Sequence, residues 1–357
     1  MSTDKPAPTR PRAVTIKHVA AEAGVSLQTV SRVINAGPNV REEIRTRVHD
    51  AINRLGYVPS LAARRMGGTR SYLLLALNDR DRTIAGWQSG DGTDWVDQML
   101  LGGMQACAEH GYRLIFELVD THSAHVEREI TAALAAVHPD GVILTPPHGD
   151  NPVITGLLGS RNIPFARLGA TAPGAGFAIA MDDRQAAICA TEHLLSLGHK
   201  RIGFITGSAD YALSAARLDG YSAAMQAAGL SPDPALVAPG DFTFASGVEA
   251  TRRLLGLNPP PTAIIASSDQ MSLAVVDIAR KAGLAVPGEL SIVSFDDTPI
   301  VRHGASPLTA IRQPIAAITA RSAELLIRKA NGEETPDAPE VLPFELIVRA
   351  SSAPPRG

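Results

Sequence analysis

The sequence predicts an α/β protein in which a small helical N-terminal module precedes two doubly wound α/β subdomains. Three observations predict this organisation. The chain has 357 residues, which at roughly 150 residues per domain is enough for two or three domains. The first seventy residues contain short amphipathic helical segments and an excess of basic residues. From Ser71 onward, short apolar runs alternate with helix-length segments, which is the pattern of parallel sheets with crossover helices.

The composition is that of a globular protein and excludes several other classes. Hydrophobic residues make up 45% and charged residues 19%, which excludes a wholly disordered chain. The two cysteines, Cys107 and Cys189, exclude a disulfide scaffold and fit a reducing compartment. No apolar run approaches the ~18 residues that a membrane span needs, and the proline-punctuated tail 1–13 lacks the apolar core of a secretory signal. We therefore expect a cytoplasmic protein with no membrane partner.

The net charge of −3 conceals a division between two parts of the chain. Residues 1–70 hold 12 Lys and Arg against 5 Asp and Glu, a net +7, whereas the remainder holds 21 against 31, a net −10. A basic head on an acidic body is typical of a nucleic-acid-binding module joined to another domain. The charge asymmetry alone leaves open a chance fluctuation or a solvated helix face.

The basic head has the pattern of a helix-turn-helix. Thr15 stands before an apolar stripe at helical spacing, and Gly24 ends that helix. Ser26 is a good N-cap for a second helix over 26–35, and a third helix is predicted from about 41 to 55. Two short helices across a Gly-containing turn make a helix-turn-helix. The third helix is expected to add general electrostatic attraction through Arg45, Arg47 and Arg54.

The outward face of the predicted second helix contains no acidic residue. Its positions are Leu27, Gln28, Ser31, Arg32 and Asn35. Gln can pair with the N6/N7 edge of adenine, and Arg can pair with O6/N7 of guanine. Because Gln and Arg are also common on solvated helices, this face alone leaves a purely structural role open.

The whole head resembles the DNA-binding headpiece of the LacI/GalR family of transcription factors. The resemblance covers the run VTIKHVAAEAGVSLQTVSRVINAGPNVREEIRTRVHDAINRLGYVPSLAARRM, of which VSLQTVSRVIN is the most specific part. It implies that Leu27, Gln28 and Arg32 contact bases and that Tyr57 contacts the DNA backbone. It also implies phosphate or capping contacts from a further set of residues: Thr15, Ser26, Thr29, Ser31 and Asn35.

The segment after the third helix is similar to the hinge helix of the same family. That resemblance implies DNA contacts from Ser60, Ala63 and Met66, with the apolar Met66 side chain wedged into the minor groove. An ordinary interdomain linker is the alternative. The implied domain order is a tail 1–13, a headpiece 14–59, a hinge 60–70, an effector-binding and dimerisation domain 71–350 and a tail 351–357.

The acidic body resembles the effector domain of the same family, whose fold is similar to periplasmic sugar-binding proteins. The runs that carry the resemblance are HLLSLGHKRIGFITG, ARLDGYSAAM, SSDQMSLAVV, ELSIVSFDDTP and PLTAIRQP. In that fold the chain crosses three times between two subdomains. The resemblance places 71–173 with 307–331 in the first subdomain and 174–303 with 332–350 in the second.

A ligand cleft is expected where the strands of the body end. Ligands of doubly wound sheets bind beyond the carboxyl ends of the strands, and Asp296 follows a predicted strand that ends at Phe295. A carboxylate there can accept hydrogen bonds from two hydroxyl groups, which suits a polyol. Positions that match the family add four further effector contacts: Arg217, Phe242, Ser268 and Gln313. For Arg217 and Asp296, a salt bridge between the subdomains is the alternative. The long loop 78–95 is expected to close over the ligand.

These features together predict a homodimeric repressor that binds a pseudo-palindromic DNA operator and responds to a sugar-like effector. Two other functions stay open: a sugar-binding receptor without a DNA role, and a regulator that answers to a nucleobase or nucleoside co-repressor. No enzyme or cofactor is expected, because the first strand LLLALND lacks a dinucleotide-binding glycine motif and no P-loop or G-x-S-x-G occurs. The cluster Asp120, His122, His125 and Glu129 is expected to be a solvated helix start rather than a metal site.

Overall fold

The computed structural model describes residues 14–34, 37, 39–57, 70–90, 94–303 and 306–356. The chain divides into two compact units, Met1–Tyr72 and Leu73–Gly357. Four of the predicted DNA contacts lie outside the described residues: Asn35, Ser60, Ala63 and Met66.

The described part of the first unit has three helices, α1 (Ile16–Ala23), α2 (Leu27–Ile34) and α3 (Glu42–Leu55). Their apolar stripes form one small core around residues that are fully buried, such as Val19, Val30, Val48 and Ala51. The three predicted helices are therefore confirmed as elements, since a short helix gains most of its stability from packing its apolar face against others.

The turn between α1 and α2 is held by an arginine of the third helix. Gly24 has a left-handed φ of 62° at the end of α1. The guanidinium of Arg47 donates to the carbonyl oxygens of Ala23 and Gly24, which satisfies groups that a helix end leaves unpaired. Arg47 therefore has a structural role in the helix-turn-helix, in addition to the general electrostatic attraction that the sequence suggests.

The second unit alternates helices and strands, as the apolar runs predict. Its helices are α4 (Arg80–Ser89), α5 (Asp94–Glu109), α6 (Val126–Val137), α7 (Pro152–Ser160), α8 (Asp183–Ser196), α9 (Ala212–Ala227), α10 (Phe244–Leu255), α11 (Asp269–Lys281), α12 (Pro299–Arg302) and α13 (Ile315–Ala330). Its strands are β1 (Leu73–Asp79), β2 (Arg113–Val119), β3 (Gly141–Leu144), β4 (Phe165–Leu168), β5 (Phe177–Ala180), β6 (Ile202–Ile205), β7 (Val237–Ala238), β8 (Ala263–Ala266), β9 (Ser291–Asp296), β10 (Thr309–Arg312), β11 (Glu340–Val341) and β12 (Glu345–Ile347).

The described strands form two sheets of six strands each. The first sheet has the order β11-β5-β4-β3-β1-β2 and the second has the order β12-β10-β9-β8-β6-β7. All neighbours pair in parallel except β10 and β12. Several central strands, among them β1, β3, β6 and β8, are buried along their full length, as parallel strands covered by helices on both faces must be. The two doubly wound subdomains are thus confirmed.

The strand pairing differs from the predicted subdomain boundaries. Strand β5 belongs to the first sheet, because Ala166 of β4 lies opposite its first residue, Phe177. The first crossing therefore follows 180 and not 173. Strand β10 belongs to the second sheet because it pairs with β9, so the second crossing follows 312 and not 303. The third crossing lies between β11 and β12 rather than at 331, since β11 pairs with β5 and β12 pairs with β10.

Helix α13 packs on the first subdomain, as the sequence predicts for the segment 307–331. It lies so close to α5 that a Cβ atom on Gly102 would be 1.9 Å from the carbonyl oxygen of Ala316. Only glycine permits this approach of the two helix backbones. Among the described residues, no helix combines the length and the apolar character that crossing a membrane requires.

The segment 78–95 contains a helix where the sequence suggests an open loop. Helix α4 begins directly after β1, and the side chain of Asp79 caps it by accepting a hydrogen bond from the backbone N–H of Arg82 over 3.1 Å. The prediction of a loop was therefore wrong for 80–89. The cap lies on the last residue of a buried strand, which allows the chain to turn from strand to helix without a connecting loop.

Candidate functional site

A cavity of about 310 Å³ lies between the carboxyl ends of the two sheets. This volume is at the lower end of the range of roughly 300–1,000 Å³ that small-molecule sites occupy. The structure brings all five predicted effector residues to its walls: Arg217, Phe242, Ser268, Asp296 and Gln313. They come from five different segments of the chain, so the fold and not the chain order makes them neighbours.

Arg217 projects from α9 and is held by a carboxylate of the same subdomain. Its Nε donates to Oδ1 of Asp183 over 2.7 Å, and its Nη1 donates to the carbonyl oxygen of Ser267 over 2.8 Å. The guanidinium carbon lies 4.4 Å from the centre of the Phe295 ring. Since α8 and α9 both belong to the second subdomain, the alternative of a salt bridge between subdomains is wrong for Arg217. These contacts fix the guanidinium at the cavity wall before any ligand enters.

Asp296 ends β9 in a conformation that favours glycine, with a φ of 99°. This turn aims the carboxylate at the cavity, where Oδ2 accepts from the backbone N–H of Asp269 over 3.2 Å and Oδ1 accepts from Nε2 of Gln313. Burial raises the pKa of Asp296 to about 6, although Arg217 and both hydrogen bonds act in the opposite direction. A carboxylate with this pKa is largely ionised at neutral pH and can accept hydrogen bonds from ligand hydroxyl groups.

A second buried carboxylate stands beside Asp296. Asp269 accepts hydrogen bonds from Oγ of Ser294 over 2.5 Å and from N and Oγ1 of Thr298 over 2.6 and 2.7 Å. Burial, followed by the charge of Asp296, raises the pKa of Asp269 well above its ordinary value. Because these donors already occupy Asp269, we assign it to the support of the site and Asp296 to its ligand face.

Phe242 forms an aromatic wall together with Tyr211. The two ring centres are 5.2 Å apart and the ring planes are inclined by 61°. Phe242 has a φ of 73°, and its ring lies over the backbone of Gly207, where a Cβ atom would be 2.0 Å from Cζ. Gly207 is thus a positioning residue that sequence reasoning missed, because the contact joins the loop after β6 to the loop after β7.

Ser268 has a positioning role in this structure. Its Oγ caps α11 by accepting from the backbone N–H of Met271 over 3.2 Å, and it donates to the carbonyl oxygen of Phe242 over 3.0 Å. The hydroxyl group therefore fixes the strained backbone that carries the Phe242 ring. A direct contact between Ser268 and the effector stays a prediction.

The first subdomain supplies a wall of the cavity, most of it from the segment 78–95 that the sequence analysis expects at the ligand. Helix α4 contributes Arg82, Thr83, Ala85, Gly86 and Ser89, and neighbouring segments contribute Asn78, Asp79, Asp94, Trp95, Val96 and Pro146. Of the two tryptophans in the chain, Trp95 lines the cavity, whereas Trp87 is 53% exposed on α4. The fluorescence of Trp95 is accordingly the better probe of occupancy.

Besides the contact of Arg82 with Tyr211, three polar contacts between described side chains join the subdomains across the cavity. The hydroxyl group of Tyr211 donates to Oδ2 of Asp79 over 3.2 Å, and Nε2 of Gln270 donates to Oδ2 of Asp94 over 3.3 Å. The third contact lies at the rim, where Nε2 of His122 is 3.4 Å from Oδ2 of Asp210. These contacts hold the two walls together in the arrangement described here.

The cluster weighed as a metal site is arranged as an ion-pair network. Asp120 and Glu129 both accept hydrogen bonds from Arg80, over 3.2 and 3.3 Å, and Glu129 also accepts from Oγ of Ser123. Within the described residues, no group of three or more His, Cys, Asp or Glu side chains is arranged to hold a metal ion.

The predicted base-reading residues lie on the surface of the first unit. Ser26 caps α2, since its Oγ accepts from the backbone N–H of Thr29 over 3.1 Å. Leu27, Gln28 and Arg32 are exposed, and Leu27 keeps 43% of its surface accessible despite its apolar side chain. An exposed leucine beside Gln and Arg on a short helix suits contact with base edges and thymine methyl groups.

The remaining predicted DNA contacts of the headpiece differ in how far their side chains are exposed. Thr15 is exposed before α1, and its backbone N–H donates to Nδ1 of His18 over 3.0 Å. Thr29 and Ser31 are half-buried on α2. Tyr57 is packed in the core of the unit, where burial raises the pKa of its hydroxyl group. A contact of Tyr57 with the DNA backbone stays a prediction.

A helix-turn-helix unit joined to a two-subdomain ligand-binding fold defines a class of DNA-binding regulators that respond to small molecules. Two family descriptions match the chain: "Bacterial regulatory proteins, lacI family" over residues 15–60 and "Periplasmic binding protein-like domain" over residues 191–352. The transcriptional regulator CelR of Thermobifida fusca is 34% identical over 96% of this chain and 99% of its own length. The transcriptional repressor CytR of Escherichia coli K12 is 31% identical over 95% of this chain and 96% of its own length. The chain therefore belongs to the LacI family of bacterial transcriptional regulators.

Solved structures agree with this assignment. The complex of CelR with cellobiose has a TM-score of 0.71 at 33% identity and covers 96% of this chain and all of the CelR chain. The lac repressor dimer bound to operator and the anti-inducer ONPF has a TM-score of 0.76 at 24% identity, with coverage of 96% and 100%. At that identity the lac repressor supports the fold alone.

Proposed function

We propose that this protein is a sequence-specific transcriptional repressor of carbohydrate-utilisation genes, controlled by a sugar in the cavity between its subdomains. One observation carries the proposal: a single chain places Gln28 and Arg32 outward on a helix-turn-helix and gathers five polar or aromatic side chains around one cavity. The cavity alone would not distinguish a repressor from a sugar receptor. The outward face of the helix-turn-helix alone would not distinguish it from a helical module without an effector.

The DNA side of the proposal follows from the chemistry of α2. The helix has no acidic residue to repel phosphate, and its exposed Gln28 and Arg32 match the donor and acceptor pattern of adenine and guanine in the major groove. A homodimer presents two such helices, so its operator is a pseudo-palindrome whose half-sites mirror the two-fold axis. Met66 of each hinge segment is the proposed wedge in the central minor groove.

The effector side follows from the lining of the cavity. Asp296 and Gln313 offer polar atoms for hydroxyl groups, and Phe242, Tyr211 and Trp95 offer aromatic faces for the apolar surface of a sugar ring. The similar regulator CelR is described as a complex with cellobiose, so a β-linked glucose disaccharide is the first effector to test. Control of DNA binding then follows by linkage: a sugar that lowers operator affinity is itself bound less tightly by the operator complex.

Selection of binding sites from random DNA with the purified full chain tests the DNA side. We expect a pseudo-palindromic consensus and a steep, linear fall of log affinity with log salt concentration, as phosphate contacts produce. Binding without sequence preference would contradict the proposal. The same site is then titrated with protein in the presence of cellobiose, maltose, glucose and cytidine.

The outcome of that titration identifies the kind of effector. A change of operator affinity with a sugar supports the proposal, whereas a change with cytidine alone supports the nucleoside alternative. Sugar binding by a chain that selects no DNA sequence would instead support the receptor.

A further inference from the structure

A guanidinium from the first subdomain lies against the aromatic wall of the second. Arg82 projects from α4, and its guanidinium carbon is 4.9 Å from the centre of the Tyr211 ring and 5.3 Å from the centre of the Phe242 ring. These rings are the surface on which the apolar face of a sugar would stack. Arg82 thus occupies part of the effector position in this arrangement.

Two nitrogen atoms of the Arg82 guanidinium lack hydrogen-bond partners there. Nε and Nη1 are completely covered and have no hydrogen-bond partner among the residues that the structure describes. A carboxylate oxygen of Asp79 is 3.8 Å from Nε, which is too far for a hydrogen bond although it balances the charge. Buried donors without partners lose their interaction with water and gain nothing in return. This arrangement of Arg82 therefore carries a free-energy penalty.

The charges of the cavity lining favour a neutral ligand, whose oxygen atoms would accept hydrogen bonds from the Arg82 N–H groups. The described lining contains four carboxylates, on Asp79, Asp94, Asp269 and Asp296, against the guanidinium groups of Arg82 and Arg217. The charge of Arg217 is already balanced by Asp183. A carboxylate or phosphate on the ligand would add a like charge to this set. Adjacent hydroxyl groups of a neutral sugar match the fixed fork of arginine donors without that repulsion.

We propose that Arg82 is a specificity-determining residue that couples effector binding to closure of the cavity, by donating from Nε and Nη1 to adjacent hydroxyl oxygens of a neutral sugar. The sugar takes the place of the guanidinium on the rings and supplies acceptors for Nε and Nη1. Closure then costs less free energy with sugar than without it, which gives the effector its differential affinity for the closed arrangement. This inference rests on the proposed function, because it assigns a role within the same site.

Substitution of Arg82 by methionine tests the contribution of its hydrogen-bond donors separately from that of its size. Arg82→Met keeps an unbranched apolar chain against the rings but removes the N–H groups. We expect it to lower the affinity for cellobiose about 10- to 100-fold, as the loss of two hydrogen bonds predicts. Arg82→Lys, which keeps the charge but not the fork, should not restore the affinity. The matched control is Arg253→Met on the exposed face of α10, with unchanged affinity.

A charged analogue tests the preference for a neutral ligand. In cellobiuronic acid, one hydroxymethyl group of cellobiose is replaced by a carboxylate. We expect the natural chain to bind it at least 10-fold more weakly than cellobiose, as measured by the fluorescence of Trp95 and by calorimetry. Tighter binding of the acid would show that Arg82 selects a carboxylate and would overturn the proposal.

Hydrogen exchange of the ligand-free full chain tests the penalty on the empty site. Amides of 80–90 and 208–214, on the two sides of the cavity, report on its opening. In Arg82→Met without sugar, we expect their exchange to slow about 5-fold or more relative to the natural chain, since relief of unpaired donors outweighs the lost contact between cation and rings. Faster or equal exchange would overturn the coupling role.

The two levels of the hypothesis fail in different ways. If the natural chain binds none of the neutral sugars tested, the proposed function fails and the role of Arg82 fails with it. If the natural chain binds cellobiose and Arg82→Met binds it equally well, the role of Arg82 alone is overturned. Circular dichroism and the thermal midpoint of each variant confirm that the comparison is between folded proteins.

Discussion

Nε of Arg217 and Oδ1 of Asp183 are 2.7 Å apart, and only 2% and 7% of the two side chains are accessible. Burial raises the pKa of Asp183 and Arg217 opposes that rise, so the two charges depend on each other. Removal of one partner from a buried ion pair leaves a charge without a partner. Asp183→Ala should therefore lower the free energy of unfolding of the second unit by about 3–5 kcal/mol in urea denaturation.

The neighbouring pair of Arg184 and Asp219 is the matched control for this prediction. Its atoms are 2.5 Å apart, but 51% and 64% of the two side chains are accessible. Solvent screens such a pair, so Asp219→Ala should cost less than about 1 kcal/mol. Equal losses of unfolding free energy in Asp183→Ala and Asp219→Ala would show that burial does not determine how much the ion pair of Arg217 with Asp183 contributes to stability.

Gly207→Ala should displace the Phe242 ring of the aromatic wall and leave the polar side chains that line the cavity in place. The added Cβ would be 2.0 Å from Cζ of Phe242, so the ring must move away from its place beside Tyr211. We expect the affinity for sugar to fall about 10-fold through loss of stacking, which corresponds to about 1.4 kcal/mol. Calorimetric titration with the effector measures the loss.

A second substitution and a matched glycine distinguish a local clash from a general effect. Phe242→Ala lowers the affinity by itself, and in the Gly207→Ala background it should cost little more, since the ring is already displaced. Gly156→Ala on α7 meets no atom within 4 Å and should leave both stability and affinity intact or slightly improved. If the losses of sugar affinity from Gly207→Ala and Phe242→Ala are additive, Gly207→Ala does not act by displacing the Phe242 ring.

The regular part of the fold follows from apolar periodicity. The apolar runs 141–144, 165–168 and 263–266 predict strands with the bounds observed for β3, β4 and β8, because each run is buried on both faces. Strand β5 was not predicted, since its four residues follow a glycine-rich turn and their pairing with β4 depends on contacts that a local pattern does not contain. The first subdomain boundary was misplaced for the same reason.

The site was only half predictable from the sequence. Its second-subdomain half lies in runs that resemble a known family, so Arg217, Phe242, Asp296 and Gln313 could be named and the cavity gathers them. In its first-subdomain half, the segment 78–95 was expected at the ligand, but helix α4 within it was not predicted, because its polar and glycine-containing sequence has no clear apolar face. Gly207 and Arg82 act through contacts between separate segments, which spacing along the chain does not encode.

Arg32 is the predicted guanine-reading residue of α2, where it is exposed. Arg32→Ala should weaken binding to the selected operator by about 1–3 kcal/mol and relax base preference at one position of each half-site. Fluorescence anisotropy with the operator and with each single-base variant measures both effects. Arg253→Ala, an exposed change in the second unit, should alter neither. Full discrimination by the Arg32 variant would show that another residue reads that position.

The raised pKa of Asp296 predicts a pH-dependent effect of Asp296→Asn on stability. The folded protein favours the neutral carboxyl group, because burial raises its pKa from 3.8 to about 6. Well below pH 3.8 both states bind the proton, and the carboxyl group then costs no stability. As the pH rises from about 4 to 6, the folded state must hold a proton or bury a charge, and the natural chain loses stability on the order of 2–3 kcal/mol. Asp296→Asn has no such titration.

The measured quantity is the difference in unfolding free energy between Asp296→Asn and the natural chain. It should rise in favour of the variant between pH 4 and pH 6.5 and then level off. Asp241→Asn is a control of opposite sign: hydrogen bonds from Thr243 and Ser246 lower the pKa of Asp241 against the effect of burial. Its stabilising contribution is complete above about pH 4 and is lost only in stronger acid, so the Asp241→Asn difference should stay flat over the same window. A flat profile for Asp296→Asn as well would mean that Asp296 titrates normally, and the cavity would then hold a solvated carboxylate rather than a buried one.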